Sequence, residues 1–242
     1  MGKNLISQAR GRGGPTYRSP GHRFVAPAKY KGKLQTMNGV VKDIVNCPGH
    51  SAPLVKIKFE NNDMIYALAV EGIKVGDNVT LGAEESTKGS IAYLKDMPEG
   101  SVVNNIESKP GDGGKFVRSA GTFARVVLVS EKEVIIELPS RKKRSFSPLC
   151  RATVGVIAGS GRKEKPFMKA GNKYKAMRAK NKLYPTVCGQ SMNAVDHPHG
   201  GGRSSKKNYP YCVSRQMPPG AKVGLISAKS TGRKRGKRIR KS

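Results

Sequence analysis

The sequence predicts a mainly β protein: two small barrels in the middle of the chain, with extended basic arms at the N and C termini. Three observations predict it. Short runs rich in β-branched residues, one of them clearly alternating apolar and polar, recur from Val40 to Ile157; a glycine-bounded break divides them into two sets; and the positive charge gathers at the two ends. Such runs, each bounded by turn residues, are the pattern of half-buried strands closing on small cores.

In chain order, residues 1–35 carry eight Lys or Arg and no acid, and form the N-terminal extension. Blocks of like charge cannot bury themselves, so this arm is expected to order only on a partner. Residues 36–88 form the first barrel. Leu54 to Glu60 alternates most clearly, and Val40–Val45, Met64–Val70 and Asn78–Leu81 are its companions. Pro48-Gly49, Asn61-Asn62-Asp63 and Gly76-Asp77 supply turns. The break from Gly82 to Gly89 precedes the second barrel, residues 89–164, with strands at Val102–Ile106, Arg125–Val129, Val134–Leu138 and Thr153–Ile157. Residues 165–242 carry twenty bases and one acid, Asp196, and form the C-terminal extension. Lys173–Lys180 is its one helical stretch, with Tyr174 and Met177 sharing a face at i, i+3.

The formal charge is +30 over 242 residues, whereas a small soluble domain needs only about 2 to 8 units. A polyanion is the partner this excess fits. The longest apolar run, Met64 to Val70, falls far short of the roughly 20 residues that cross a bilayer, so no membrane partner is expected. Met1 to Ile6 has neither a signal-peptide core nor a myristoylation pattern, and the expected location is the cytosol. Cys47, Cys150, Cys188 and Cys212 are widely and irregularly spaced, as reduced thiols are.

RNA suits the arms better than DNA. No Cys/His finger spacing or heptad-bearing basic helix is present, while Arg/Gly-rich segments that order on binding are common in RNA recognition. In the first arm Arg10, Arg12, Tyr17, Arg18, His22, Arg23 and Lys31 are the candidate contacts. Trp is absent and the fourteen Phe and Tyr are scattered, so base stacking on clustered aromatics is not expected, and phosphate, sugar and shape contacts should dominate. The glycine-heavy loop Gly111–Gly121 offers Lys115, Arg118 and Ser119 on a backbone bare enough to lie against a sugar-phosphate surface. Arg141, Lys142 and Arg144 sit at a hairpin tip, and Arg233, Lys234 and Arg235 extend the C-terminal charge.

Met192–Arg203 holds two of the four histidines. Asp196 beside His197 has the residue types of an acid-base pair, but i, i+1 neighbours do not generally face each other and no nucleophile accompanies them. The better reading is a binding loop: a Pro-constrained turn with Asn193, His197 and His199, held internally by Asp196, then Gly200, Gly201 and Gly202 presenting backbone amides to phosphate beside Arg203. Cys47-Pro48-Gly49-His50 is half the ligand set of a zinc site, and is read as a turn. Gly159–Lys163 lacks the spacing of a nucleotide-binding loop. No metal or protein-held cofactor is expected; magnesium ions would come bound to RNA.

Several stretches, in one consistent order, resemble the universal large-subunit ribosomal protein family called L-two, in its archaeal and eukaryotic branch. They are Lys109–Gly114, Arg118–Thr122, Leu138–Ser140, Cys150–Gly155, Lys169–Lys173 and Met192–Gly202. Ala194, the short N-terminal arm and the Lys165-Pro166-Phe167 lead carry the branch resemblance. The resemblance implies an oligonucleotide-binding-type barrel followed by an SH3-like barrel, with both termini extended into rRNA. Arg151, Lys165, Lys169, Asn172 and Lys173 join the contact set on its strength. It further implies a structural constituent of the large ribosomal subunit beside the RNA that forms peptide bonds. Its partners would be large-subunit rRNA and neighbouring ribosomal proteins, with the small subunit an open candidate at the interface. Two alternatives compete: a general nucleic-acid compaction protein, and an acyl-transfer enzyme using His197.

Overall fold

The computed structural model describes residues 2–30, 36–82, 87–202 and 212–228. Lys31, Arg203, Arg233, Lys234 and Arg235 lie outside the described residues. The chain divides into two compact units, Pro20–Asn172 and Met1–Ser19 with Lys173–Ser242.

The first unit is built on ten strands: β1 (Met37–Val45), β2 (Leu54–Phe59), β3 (Met64–Leu68), β4 (Asn78–Leu81), β5 (Ile91–Tyr93), β6 (Val102–Asn104), β7 (Ala124–Val129), β8 (Val134–Glu137), β9 (Lys143–Phe146) and β10 (Arg151–Val154). They join in the order β3-β2-β1-β4-β5-β10-β6-β7-β8-β9. β2 shows why the pattern was legible. Val55, Ile57 and Phe59 are buried, while Lys56 and Lys58 lie on the other face, as the two-residue period of a strand requires.

The expected mainly β fold is found, and it has two main hydrophobic centres. One gathers Val41, Val55, Ile57, Phe59, Ile65 and Val79. The other gathers Leu94, Val103, Ile106, Val126, Val134, Ile136 and Phe146. One sheet is continuous past both, because β4 and β5 pair in parallel through Leu81 and Ile91. A third cluster, including Ala28, Leu54, Leu68, Ala120 and Ile157, draws on both halves of the chain. Register shifts between Val41 and Asp43 and between Val126 and Leu128 mark bulges, which bend a strand and increase its twist. Among the described residues, no helix is long and apolar enough to cross a membrane.

In the second unit, α1 (Ile6–Gly11) and the strands β11 (Cys212–Val213) and β12 (Leu225–Ile226) are short. The helix α2 runs over Ala170–Ala179 and carries the chain from the first unit into the second. The arms are expected to order only on a partner; residues 2–19 and 173–202 nevertheless make contacts with one another. Leu5 is buried, the Lys3 amide donates to the Val195 carbonyl at 2.8 Å, and the Asn181 side chain donates to the carbonyls of Thr16 and Arg18 at 2.6 and 2.8 Å. These backbone carbonyls find partners that a charge count does not reveal.

Candidate nucleic-acid interface

The glycine-rich loop of the first unit closes on carboxylates. Glu107 is fully buried and pairs with Arg151 at 2.7 Å. It also accepts from the backbone amides of Arg151 at 2.9 Å, Gly113 at 3.0 Å and Gly111 at 3.3 Å. Asp112 accepts from the amides of Ser108 at 3.0 Å and Gly114 at 3.1 Å. The bare backbone expected to meet phosphate therefore spends these amides inside the protein. A side chain at Gly114 would collide with Asn105, and its φ of +94° disfavours any other residue.

Burial pushes the Glu107 carboxyl up, but hydrogen bonds from the Arg151 side chain, then from the Arg151 and Gly113 amides, outweigh it and hold it below the usual carboxylate range. Tyr30 closes the network, with its hydroxyl donating to the Asn105 carbonyl at 2.9 Å and lying 2.7 Å from the Thr153 hydroxyl. Burial keeps that phenol protonated well above its ordinary value. Cys150 is pushed up to about 11, first by burial and then by the Glu107 charge.

Arg151 requires a correction to the contact set. Its side chain is buried and held by Glu107, so it acts as the counter-ion of a core carboxylate and offers no face to a ligand. Arg118 is half-buried and donates inward to the carbonyls of Gly114 at 2.7 Å and Ala28 at 2.8 Å. Lys115, Ser119, Arg141, Lys142 and Arg144 are exposed. Arg141 takes a φ of +61° at the hairpin tip, and the Arg144 guanidinium lies 4.6 Å from the Phe116 ring centroid, a cation–π contact that holds it over the ring. Lys165, Lys169 and Asn172 are exposed as well.

The histidine loop is also wired differently from the expectation. Asp196 reaches Lys3, 3.4 Å away, rather than its own loop. The amides of Gly200 and Gly201 donate to the carbonyls of His197 at 2.8 Å and Met192 at 3.0 Å, so neither is presented to phosphate as expected. His197 Nδ1 accepts from the His199 amide at 3.0 Å, which leaves the ring proton on Nε2 when the ring is neutral. Burial, then the neighbouring His199, lowers the His197 pKa. Asn193 and Gly202 are exposed, and His197 and His199 are half-buried. An Asp–His dyad is thus not formed, and the Nδ1 lone pair a base would use is occupied.

Cys47 is buried with its sulfur 3.2 Å from His50 Nδ1, and among the described residues no group of three or more His, Cys, Asp or Glu is arranged to hold a metal ion. Arg10, Arg12, Arg18, His22 and Arg23 are exposed. What sequence reasoning missed is aromatic. Tyr17, Tyr174 and Tyr184, scattered along the chain, line one cavity of about 280 Å³ in the second unit. Only the fold brings them together, since no sequence period connects them.

Comparison with known proteins agrees with this architecture. Residues 2–81 match the family described as ribosomal proteins L2, RNA binding N-terminal domain, and residues 87–235 match ribosomal proteins L2, C-terminal domain. The protein named large ribosomal subunit protein uL2 from Methanothermobacter thermautotrophicus is 49% identical over 241 residues, covering 97% of this chain and all of that relative. Its namesake from Methanosphaera stadtmanae is 50% identical over 241 residues, with the same coverage of both chains. That from Archaeoglobus fulgidus is 48% identical over 237 residues, covering 97% of this chain and all of the relative. These relatives are archaeal, as the branch resemblance implied. With both domains matched in order and identity near one half from end to end, the chain belongs to the ribosomal protein L2 family.

Proposed function

We propose that the protein is a structural, non-enzymatic constituent of the large ribosomal subunit, binding and stabilising large-subunit rRNA near the peptidyl-transferase region and so supporting translation in the cytoplasmic ribosome. One observation carries the reading. Three carboxylates beside candidate contacts, Glu107, Asp112 and Asp196, are spent on the protein itself, while Arg10, Arg12, Arg18, Lys115, Arg141 and Lys142 are exposed. Surface cations of this density neutralise phosphates and release counterions.

The contacts belonging to this proposal are Arg10, Arg12, Tyr17, Arg18, His22, Arg23, Lys115, Arg118, Ser119, Arg141, Lys142, Arg144, Lys165, Lys169, Asn172, Lys173, Asn193, His197, His199 and Gly202; Arg151, Gly200 and Gly201 are withdrawn. The division at residues 1–35, 36–88, 89–164 and 165–242 belongs to it too, with the two barrels docking by shape and the extensions threading between helices. The assignment to the peptidyl-transferase region rests on the likeness of Met192–Gly202 to the family's loop.

The chain is expected to co-sediment with large subunits through a high-salt wash. His197→Gln keeps a hydrogen-bonding side chain and removes a base. Assembled subunits carrying it should form peptide bonds at near wild-type rates. A fall of about a hundredfold or more in subunits of normal composition would favour the acyl-transfer alternative, and loss of the chain in the wash would sink the ribosomal one.

A further inference from the structure

We propose that the tyrosine-lined cavity of the second unit is a binding site for a single unstacked RNA base, with the adjoining phosphate received by Arg178 and Lys182. This deepens the rRNA-binding reading and rests on it.

Tyr17, Tyr174 and Tyr184 line the cavity together with Arg178 and Lys182, and among the described residues no carboxylate lines it. Its volume of about 280 Å³ falls just below the range of drug-sized ligand pockets, about 300 to 1,000 Å³, and so suits one base rather than a larger molecule. Flat aromatic rings stack on any base, and cations beside them meet its phosphate. An acidic or apolar peptide would use the cations or the rings, whereas a nucleotide uses both.

The walls are held before any ligand arrives. The Asn181 amide spends both its protons on the carbonyls of Thr16 and Arg18, which bracket Tyr17 in the chain. Asn181 itself has a φ of +51° just beyond α2, so the turn that ends the helix also pins the arm. Lys173 packs over the Tyr184 ring, its Nζ 5.2 Å from the centroid. Tyr174 is 48% exposed, which leaves its ring available to a base.

The test uses the full-length protein on large-subunit rRNA, with ultraviolet crosslinking read by mass spectrometry and affinity read across a salt series. Crosslinks are expected at one or more of Tyr17, Tyr174 and Tyr184. Tyr174→Ala and Tyr184→Ala should each weaken binding roughly five- to a hundredfold without changing the salt slope, and Tyr→Phe at either position should bind like wild type. Arg178→Ala should lower the slope by about 0.7–0.9. Wild-type protein that binds rRNA but crosslinks only elsewhere would overturn the site, as would folded Ala variants of unchanged affinity, and either would leave rRNA binding intact. If an Ala variant does not fold, the wild-type crosslinks decide. Wild-type protein that fails to bind rRNA at all would instead overturn the function proposed above.

Discussion

Arg151→Met is expected to destabilise the protein by about 3–5 kcal/mol at pH 7, the usual consequence of removing one partner of a buried ion pair. Glu107 is fully buried, and without the guanidinium its charge is left to a few backbone amides. The effect should depend on pH in a definite direction. In the wild type, hydrogen bonds overcome burial and hold the Glu107 carboxyl below its unfolded value. The stability it contributes is therefore present above the unfolded pKa, about 4.3, and is lost as pH falls through the folded one. In the variant, burial acts against weaker opposition and the carboxyl rises, so protonation relieves the folded state. The gap between the two proteins should narrow steadily from pH 7 toward pH 4. Glu107→Gln placed in the Arg151→Met background removes the stranded charge yet keeps a carbonyl for the Gly113 amide, and should recover part of the loss. Urea unfolding with unchanged m-values measures all three. A variant within 1 kcal/mol of wild type at pH 7 would contradict the role given to this pair.

Affinity for a large-subunit rRNA fragment should fall about a thousandfold to a hundred-thousandfold between 50 and 200 mM salt, if six to ten phosphates are neutralised. Replacing Arg10, Arg12 and Lys142 together by Gln should lower the log-log salt slope by roughly 2–3, since each lost contact removes about 0.7–0.9. All three are exposed, so folding stability should stay within about 0.5 kcal/mol of wild type. An unchanged slope would mean that these cations do not meet phosphate.

The strands most legible in the sequence were those with one face buried. β2 falls where alternation predicted it and β4 where a β-branched run did, because period-two burial leaves its mark residue by residue. β5 has only three residues, too few to show a period. β9 ends the sheet order and exposes Lys143, Arg144 and Ser145, so its sequence reads as a charged tip; charges on an edge strand discourage further pairing. The glycine loops were legible as loops and misread in their chemistry. Whether an amide of Gly113 or Gly200 faces phosphate depends on how the loop closes: the Gly113 amide turns onto the buried Glu107 carboxylate, and the Gly200 amide onto the His197 carbonyl three residues back. Asp196 misled because its partner Lys3 is remote in sequence. Arg151 entered the contact set through the family resemblance, and the acid that buries it, Glu107, lies 44 residues away along the chain.

The central claim, that exposed cations on a shaped β scaffold recognise folded rRNA, is tested most directly by competition binding of the full-length protein between a large-subunit rRNA fragment and duplex DNA of equal phosphate content at matched moderate salt. The account predicts a clear preference for the rRNA, persisting when salt is raised while both affinities fall. Equal affinity for the two polymers at every salt concentration would contradict it and leave only a general binder of nucleic acid.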